Sequence, residues 1–201
     1  MLLTQIKSHH AENVERNREY LKKLIEITAY LAKQNIPFRA DKEDRSDLTN
    51  DSAINRGNFL ELVSLISRDN VTVNSKISSS STDGPQWVSP QHQNEIIEII
   101  GNQTQKRIIN EMTHECRSEG KPFSLICDET SDVSRHEQFS VCASYIGSSG
   151  EKTETFLCFV KVEQTDAASL YNVVTTALEK LGLDPANIVG LALDGATWSV
   201  M

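Results

Sequence analysis

The apolar positions in the first part of the chain recur with helical spacing. Leu21, Leu24 and Leu31 follow one another at steps of three and seven within residues 10–34, and charged side chains occupy other faces. This period predicts an amphipathic helix. The helix is expected to end before Pro37, because the residue that precedes a proline disfavours helical backbone angles.

Two further helices are predicted before the pattern changes. A short helix covers residues 59–66, where several apolar positions share one face. A long helix begins at the Ser89-Pro90 pair, which supplies an N-cap and a proline at the first helical position. Its apolar stripe predicts that it continues to about Ser118.

The segment between these two helices has the composition of a linker. It contains four consecutive serines followed by an Asp-Gly-Pro turn sequence, and both features favour irregular backbone. We therefore expect an N-terminal helical region at 1–69, a Ser-rich linker at 70–88, and a third region at 89–201 that contains the long helix and a β-sheet.

The pattern then changes from helical spacing to strands. Residues 123–127 form a short apolar run, residues 139–145 alternate between apolar and polar, and residues 155–162 are rich in β-branched and aromatic side chains. A helix at 166–182 follows. The last segment, 188–193, is almost wholly apolar, as expected of a strand that is buried on both faces.

The order strand, strand, strand, helix, strand predicts an α/β fold class. A short Gly-rich turn joins the second strand to the third as a hairpin, whereas a helix carries the chain to the last strand, as in a crossover between parallel strands. We therefore expect a helical N-terminal region followed by a mixed β-sheet in which the first and fourth strands are parallel neighbours.

Two aspartates follow the strands that we expect to be neighbours. Asp128 comes after the first strand and Asp194 after the fourth. Two close carboxylates repel each other unless a cation lies between them, and Mg²⁺ or Mn²⁺ prefers such oxygen ligands. The pair therefore predicts a two-metal phosphoryl-transfer site. The alternative is that both aspartates form turns or cap helices at the strand ends.

Other residues with chemical potential have weaker patterns. Asp132 is expected in a loop, with a structural role. His114 and Cys116 are two positions apart on a helix and therefore point to different faces. Trp87 and Trp198 are expected to pack rather than to stack on a ligand. The cysteines contain no C-x-x-C pair, so we expect reduced thiols and no zinc site.

The charge distribution argues against tight binding of nucleic acid by this chain alone. The formal net charge is -8, and only residues 1–40, with seven Lys and Arg against four Asp and Glu, are weakly basic. A protein that neutralises many phosphates needs a basic face. The sequence contains neither a secretion signal nor an apolar run long enough for a membrane helix, so a nuclear or cytoplasmic location and no membrane partner are expected.

Nine short motifs stand in the order known from one protein family. They are found at residues 17–21, 36–39, 56–60, 93–101, 123–134, 137–138, 156–160, 165–170 and 182–184. In these motifs the chain resembles the hAT-like transposases and the proteins derived from them, namely the zinc finger MYM-type proteins and the THAP-containing repressors of the inhibitor of protein kinase.

This resemblance implies a partial ribonuclease-H-like core in which Asp128 matches the first catalytic aspartate and Asp194 the second. The family's third acid, a glutamate on a downstream helix, and its dimerisation segment would lie beyond Met201. The resemblance thus implies a fragment of a transposase-derived protein with an incomplete two-metal DNA strand-transfer site. We expect weakly bound Mg²⁺ or Mn²⁺, DNA as the partner of the full-length parent, and no enzyme activity.

The chain also departs from the family pattern. Residues 190–193 read Gly-Leu-Ala-Leu where the family has Gly-Gln-Gly-Tyr, which changes the surroundings of the second aspartate. Two alternatives therefore stay open. One is a protein-interaction or transcription-regulatory module derived from a transposase, because the acidic balance suits protein partners. The other is an active nuclease or an actin-like ATPase on the same fold.

Overall fold

The chain folds into helices followed by a four-stranded sheet. The computed structural model describes residues 2–40, 55–78, 85–113, 121–131, 137–161 and 167–193. The helices are α1 (Leu2–Lys33), α2 (Asn58–Ser67), α3 (Val71–Ile77), α4 (Pro90–Thr113) and α5 (Ala167–Leu181). The strands are β1 (Phe123–Ser131), β2 (Glu137–Ile146), β3 (Lys152–Lys161) and β4 (Ile188–Leu193). This confirms the α/β class.

The chain divides into two compact units, Met1–Gly101 and Asn102–Met201. The predicted domain limits at residues 69 and 88 stay predictions. None of the helices in the described ranges combines the length and the apolar content that a membrane crossing requires.

The first unit is built around one apolar cluster. In α1, Tyr20, Leu24, Ile27 and Leu31 are all buried, at the spacing that places side chains on one face. The remaining buried members come from α2, α3, the segment before α4 and the start of α4, and they are Phe59, Leu60, Val63, Val73, Ile77, Val88 and Ile96. Leu24 and Leu31 of the predicted apolar stripe therefore lie in this core, whereas Leu21 of the same stripe is 38% exposed.

The segment predicted as a linker contains helix α3. Asn70 caps this helix, and its Oδ1 accepts a hydrogen bond from the backbone N–H of Val73 at 2.9 Å. Val73 and Ile77 are buried in the core of the first unit. Burial of these two side chains stabilises a helix that the polar composition of residues 70–88 did not predict. Ser78, the first serine of the run, is the C-cap of α3, and the other three serines lie outside the described residues.

The second unit contains a mixed sheet with the strand order β3-β2-β1-β4. The pairs β1–β2 and β2–β3 are antiparallel, and β1–β4 is parallel. This confirms the predicted hairpin and the predicted crossover to a parallel strand. Helix α5 makes that crossover, and the short 3₁₀ helix Pro185–Asn187 leads directly into β4.

One face of the sheet is covered by helices. Leu125 of β1, Val141 of β2 and Leu178 of α5 are buried in a common apolar cluster. The end of α4 packs against the same cluster through Met112. In β1 the buried residues alternate with less buried ones, so the even-numbered residues face the opposite side of the sheet.

Strand β1 is longer than its apolar run. The sequence predicted an end at Cys127 and a loop from Ser131, but β1 continues to Ser131, which pairs with Glu137 of β2. Asp128 therefore lies inside the strand rather than at its end, which corrects the prediction. Pairing with β2 supplies the backbone hydrogen bonds that keep this polar segment extended.

Candidate functional site

The parallel strands bring together the positions that precede the two aspartates. Cys127 of β1 and Leu193 of β4 are the last Cα partners of the β1–β4 ladder among the described residues. Asp128 and Asp194 are the next residues in the sequence. The prediction that these strands are parallel neighbours is confirmed. Asp194 itself lies outside the described residues, so the convergence of the two carboxylates stays a prediction.

Asp128 is exposed on the sheet face opposite α5. Cys127 beside it is buried in the helix-covered core, and successive side chains of a strand point to opposite faces. Ser140 of β2 is the Cα partner of Asp128, and its hydroxyl donates to the backbone carbonyl oxygen of Asp128 at 3.2 Å. This side-chain contact fixes the backbone of Asp128 without using its carboxylate.

Two aromatic side chains lie on the same open face. Phe159 of β3 is the Cα partner of Ser140, so Asp128, Ser140 and Phe159 form one row across three strands. Phe156 lies near Phe159, with the ring centroids 4.7 Å apart and the planes tilted by 54°. The sequence did not predict this pair as exposed, because β3 carries apolar residues on both of its faces.

The charged residues of β3 near these aromatic side chains carry both signs of charge. Lys152 and Glu154 form an ion pair at 2.6 Å on that strand, two positions apart and therefore on the same face. Lys161 is the Cα partner of Gln138. The described part of the open face therefore has mixed charge and gives a bound polyanion no strong field.

The thiol of Cys127, next to the candidate site, is expected to be unreactive. Burial raises the pKa of Cys127 to about 11, and the neighbouring Cys142 and Cys158 thiols add to the rise. A thiol must lose its proton to act as a nucleophile or a metal ligand. Cys127 therefore stays protonated near neutral pH and serves as a core residue.

Within the described ranges, no three His, Cys, Asp or Glu side chains cluster closely enough to hold a metal ion. Asp128 is the one predicted ligand whose position is described. Its exposed carboxylate has the oxygen chemistry that Mg²⁺ or Mn²⁺ requires. Asp128 therefore fits a metal ligand, and the metal site stays a prediction.

Of the weaker candidate residues from the sequence, the structure describes only Trp87. Trp87 packs against Tyr20, with ring centroids 6.1 Å apart and planes 24° apart. The Tyr20 hydroxyl donates to the backbone carbonyl oxygen of Gln86, and burial raises the pKa of Tyr20. His114, Cys116, Asp132 and Trp198 lie outside the described residues.

Comparison with known proteins gives one match along nearly the whole chain. The family model described as "DUF4371: ZMYM1/FAM200, RNase-like domain" matches residues 2–199. No solved structure matches the chain significantly.

Two curated relatives share the name "52 kDa repressor of the inhibitor of the protein kinase", one from Homo sapiens and one from Mus musculus. Each is 24% identical to this chain over 170 residues, which cover 85% of the chain and 21% of the relative. The chain thus spans about a fifth of the length of these relatives.

Proposed function

This chain belongs to the DUF4371 family, the ZMYM1/FAM200 RNase-like domain, and on that premise we propose that it is a domain of hAT-like transposase origin with an incomplete two-metal site. The family is transposase-derived and RNase-like. The proposal adds that Asp128 and Asp194 are the remaining metal ligands, and that this chain does not cleave DNA.

The observation that carries the proposal is the parallel pairing of Cys127 with Leu193. Paired residues in adjacent strands lie about 4.8 Å apart. A regular continuation of the register by one residue would place the two carboxylates at a similar separation, on the open face of the sheet. Carboxylates that close repel each other, and a divalent cation between them removes the repulsion.

In this site Asp128 and Asp194 would hold Mg²⁺ or Mn²⁺ through their carboxylate oxygens. The cation would lower the pKa of a bound water and stabilise charge on a phosphoryl group. The contribution of the chain is positional, since pairing with β2 and β4 fixes the backbone on both sides of Cys127. The hydrogen bond from Ser140 adds to this support at Asp128.

Weak metal binding and lack of cleavage follow from the number of ligands. Within the part of the chain that the structure describes, Asp128 belongs to no group of three His, Cys, Asp or Glu side chains that could hold a metal ion. Two carboxylates leave most of the coordination sphere of the cation to water. A cation held in this way exchanges readily and is poorly fixed relative to a scissile phosphate.

We propose that DNA is the substrate of a longer parent protein and that the nucleus is its compartment. The net charge of -8 supports the view that this chain alone binds DNA weakly, because tight binding needs a basic face. In this proposal, recognition of DNA depends on regions outside the RNase-like domain.

A plasmid nicking assay tests the proposal. The purified chain, incubated with supercoiled plasmid and millimolar Mn²⁺, is expected to leave the plasmid intact. Nicking that depends on Mn²⁺ and disappears in Asp128→Asn, but persists in the control Glu154→Gln, would refute the proposed inactivity. It would favour an active nuclease instead.

A second candidate function is protein interaction. The relatives are named as repressors of an inhibitor, and the acidic balance of this chain suits protein partners better than DNA. The specific structural observation in its favour is the exposed aromatic pair Phe156 and Phe159 on the open face of the sheet.

A further inference from the structure

A groove lies between strand β3 and helix α5, two consecutive elements of the second unit. Cys158, Phe159 and Val160 form its wall on β3, and one side of α5 forms the other wall. We call it the β3–α5 groove. Its volume is about 470 Å³, within the range of roughly 300–1,000 Å³ that is usual for small-molecule sites. Its size therefore suits a small ligand.

The α5 wall of the groove consists of two rows of side chains that differ in polarity. Steps of four residues place side chains in a row along a helix. The inner row is apolar and half-buried, and its members are Val173, Ala177 and Leu181. The outer row is polar and exposed, and its members are Asn172, Thr176 and Lys180. Each row spans about 12 Å, since a helix rises by about 1.5 Å per residue. The wall is therefore an apolar strip with a polar border.

The groove carries a single positive charge. Lys180 is the charged side chain among the residues that line it, and it forms no ion pair with another described residue. Burial raises the pKa of the Cys158 thiol, and the Cys142 thiol adds to the rise. Cys158 therefore stays uncharged near neutral pH and does not repel an anion. Although the chain has a net charge of -8, this groove is suited to an anionic ligand.

Strand β3 is protected against pairing with a further strand. It carries Lys152, Glu154 and Lys161, and its pairing with β2 contains a register shift that leaves Leu157 without a Cα partner. The side chain of Gln105 donates to the backbone carbonyl oxygen of Leu157 at 2.8 Å and thereby supports the shift. Charges and bulges of this kind prevent an edge from adding a strand. An extended peptide is therefore disfavoured as the ligand of the groove.

We propose that the β3–α5 groove binds a small amphipathic carboxylate, an apolar chain or ring that ends in one carboxylate group. The apolar part would lie along Val173, Ala177 and Leu181, and the carboxylate would pair with the ammonium group of Lys180. Small-molecule sites commonly combine apolar walls with a few polar groups that fix the orientation of the ligand. The inference goes beyond the proposed function, because the groove uses no residue of the candidate metal site.

The head group of the ligand is the property that distinguishes this site from a general apolar surface. Burial of apolar surface favours the binding of any amphipathic molecule, whereas the ion pair with Lys180 is open only to an anion. An exposed ion pair strengthens binding by about two- to fivefold. A preference for carboxylate over a neutral head group on the same apolar chain is therefore the expected signature.

The test uses three ligands that share one alkyl chain, namely octanoate, octan-1-ol and octylammonium, each below the concentration at which it forms micelles. Amide NMR shifts during titration of the full chain measure each affinity and locate the ligand. Octanoate is expected to bind about two- to fivefold more tightly than octan-1-ol, and octylammonium more weakly than both. The shifts should concentrate at residues 158–160 and 172–181.

Two variants at exposed positions separate the contributions of charge and shape. Lys180→Gln removes the cation and should lower the affinity for octanoate to about that for octan-1-ol. Thr176→Phe fills the groove and should weaken the binding of both ligands at least about tenfold. Lys152→Gln is the matched control, because it removes an exposed lysine of β3 that does not line the groove. It gives the same net charge as Lys180→Gln and should leave both affinities within about twofold.

The proposal is overturned if octanoate binds no more tightly than octan-1-ol, or if Lys180→Gln leaves the difference between them intact. It is also overturned if the folded chain shows no saturable binding, or if the shifts locate octanoate outside the groove. Asp128 lies on the sheet face opposite α5. The plasmid and metal experiments therefore succeed or fail independently of this test.

Discussion

Cys127 and Leu193 are Cα partners in the parallel pair of β1 and β4, and each directly precedes an aspartate in the sequence. At this point the backbone position of each strand is therefore fixed by its pairing with the other. Any change that disturbs the β1–β4 ladder should therefore act on the candidate metal site as well as on stability. The first two predictions use this link.

Mn²⁺ is expected to raise the melting temperature of the chain through Asp128. At a free concentration about ten times Kd, binding stabilises the folded state by about 1.4 kcal/mol, which corresponds to a shift of roughly 3–6 °C. Circular dichroism melts with and without Mn²⁺ measure the shift. Asp128→Asn should abolish it and Glu154→Gln should keep it. An unshifted wild-type melt would contradict the metal assignment.

Gly190→Val is expected to destabilise the β1–β4 pair. A Cβ built on Gly190 lies 2.8 Å from the Oγ of Ser124, its Cα partner in β1. Overpacking of this kind costs about 1–3 kcal/mol. Urea unfolding measures the loss, and Ser124→Ala in the same chain should recover part of it. Equal stabilities of wild type and Gly190→Val would show that the Ser124 hydroxyl rotates away from the new side chain at little cost.

Gly57→Ala is expected to destabilise the first unit. Gly57 has φ 93° and ψ 152°, a backbone region open almost only to glycine, where strain costs about 1–3 kcal/mol. A Cβ there would also lie 2.7 Å from the backbone nitrogen of Ala40. Urea unfolding followed by Trp87 fluorescence measures the effect.

Gly101→Ala is the matched control for Gly57→Ala. A Cβ at Gly101, inside α4, meets no atom within 4 Å. Alanine is favoured over glycine in a helix by about 1 kcal/mol, so this variant should be more stable than the wild type. Opposite signs for the two variants are the expected result, and a loss at both positions would contradict the argument.

The ion pair of Arg56 and Glu61 should make stability depend on pH. Arg56 is 3% exposed and Glu61 43%, with Nε and Oε1 3.0 Å apart. The hydrogen bond from Arg56 lowers the pKa of Glu61 below its ordinary value of 4.5. A carboxylate with a lowered folded-state pKa stabilises the fold above its unfolded pKa, and this contribution is lost as pH falls through the folded pKa.

Glu61→Gln is therefore expected to destabilise the chain near pH 7 by about 1–2 kcal/mol, between the values for surface and buried pairs. The difference from wild type should shrink in acid, once Glu61 is protonated. Urea unfolding across the pH range measures this. The control Glu26→Gln removes an exposed pair with Lys23 and should change stability little. A pH-independent difference would assign the effect to packing instead.

The sequence predicted most elements because their apolar period follows directly from which face is buried. Leu24 and Leu31 lie in the first core, and Val141 lies in the second, as their spacing indicated. Helix α3 was missed because its burial depends on tertiary contacts that local composition does not record. The extension of β1 to Ser131 was missed because β2, and not an apolar run, maintains it.

The candidate site was predictable to a smaller extent. The parallel neighbours β1 and β4 followed from the order of the elements, and Asp128 followed from its position after the apolar run. Its exposure on the face opposite α5, and the row that joins it to Ser140 and Phe159, depend on strand register. Register is fixed by pairing across the sheet, so it cannot be predicted from the sequence of a single strand.

The hydrogen bonds in the middle of helix α4 are expected to open locally more often than those near its ends. Ile96 near its start and Met112 near its end are buried, whereas residues 101–104 between them are exposed on every side. Helical stability in proteins comes mostly from packing of an apolar face, and Gly101 weakens the helix further. Backbone amides in the middle of α4 should therefore exchange with deuterium sooner than those at Ile96 or Met112. Among the described helices, α4 should therefore be one that a protease cleaves while both cores remain folded.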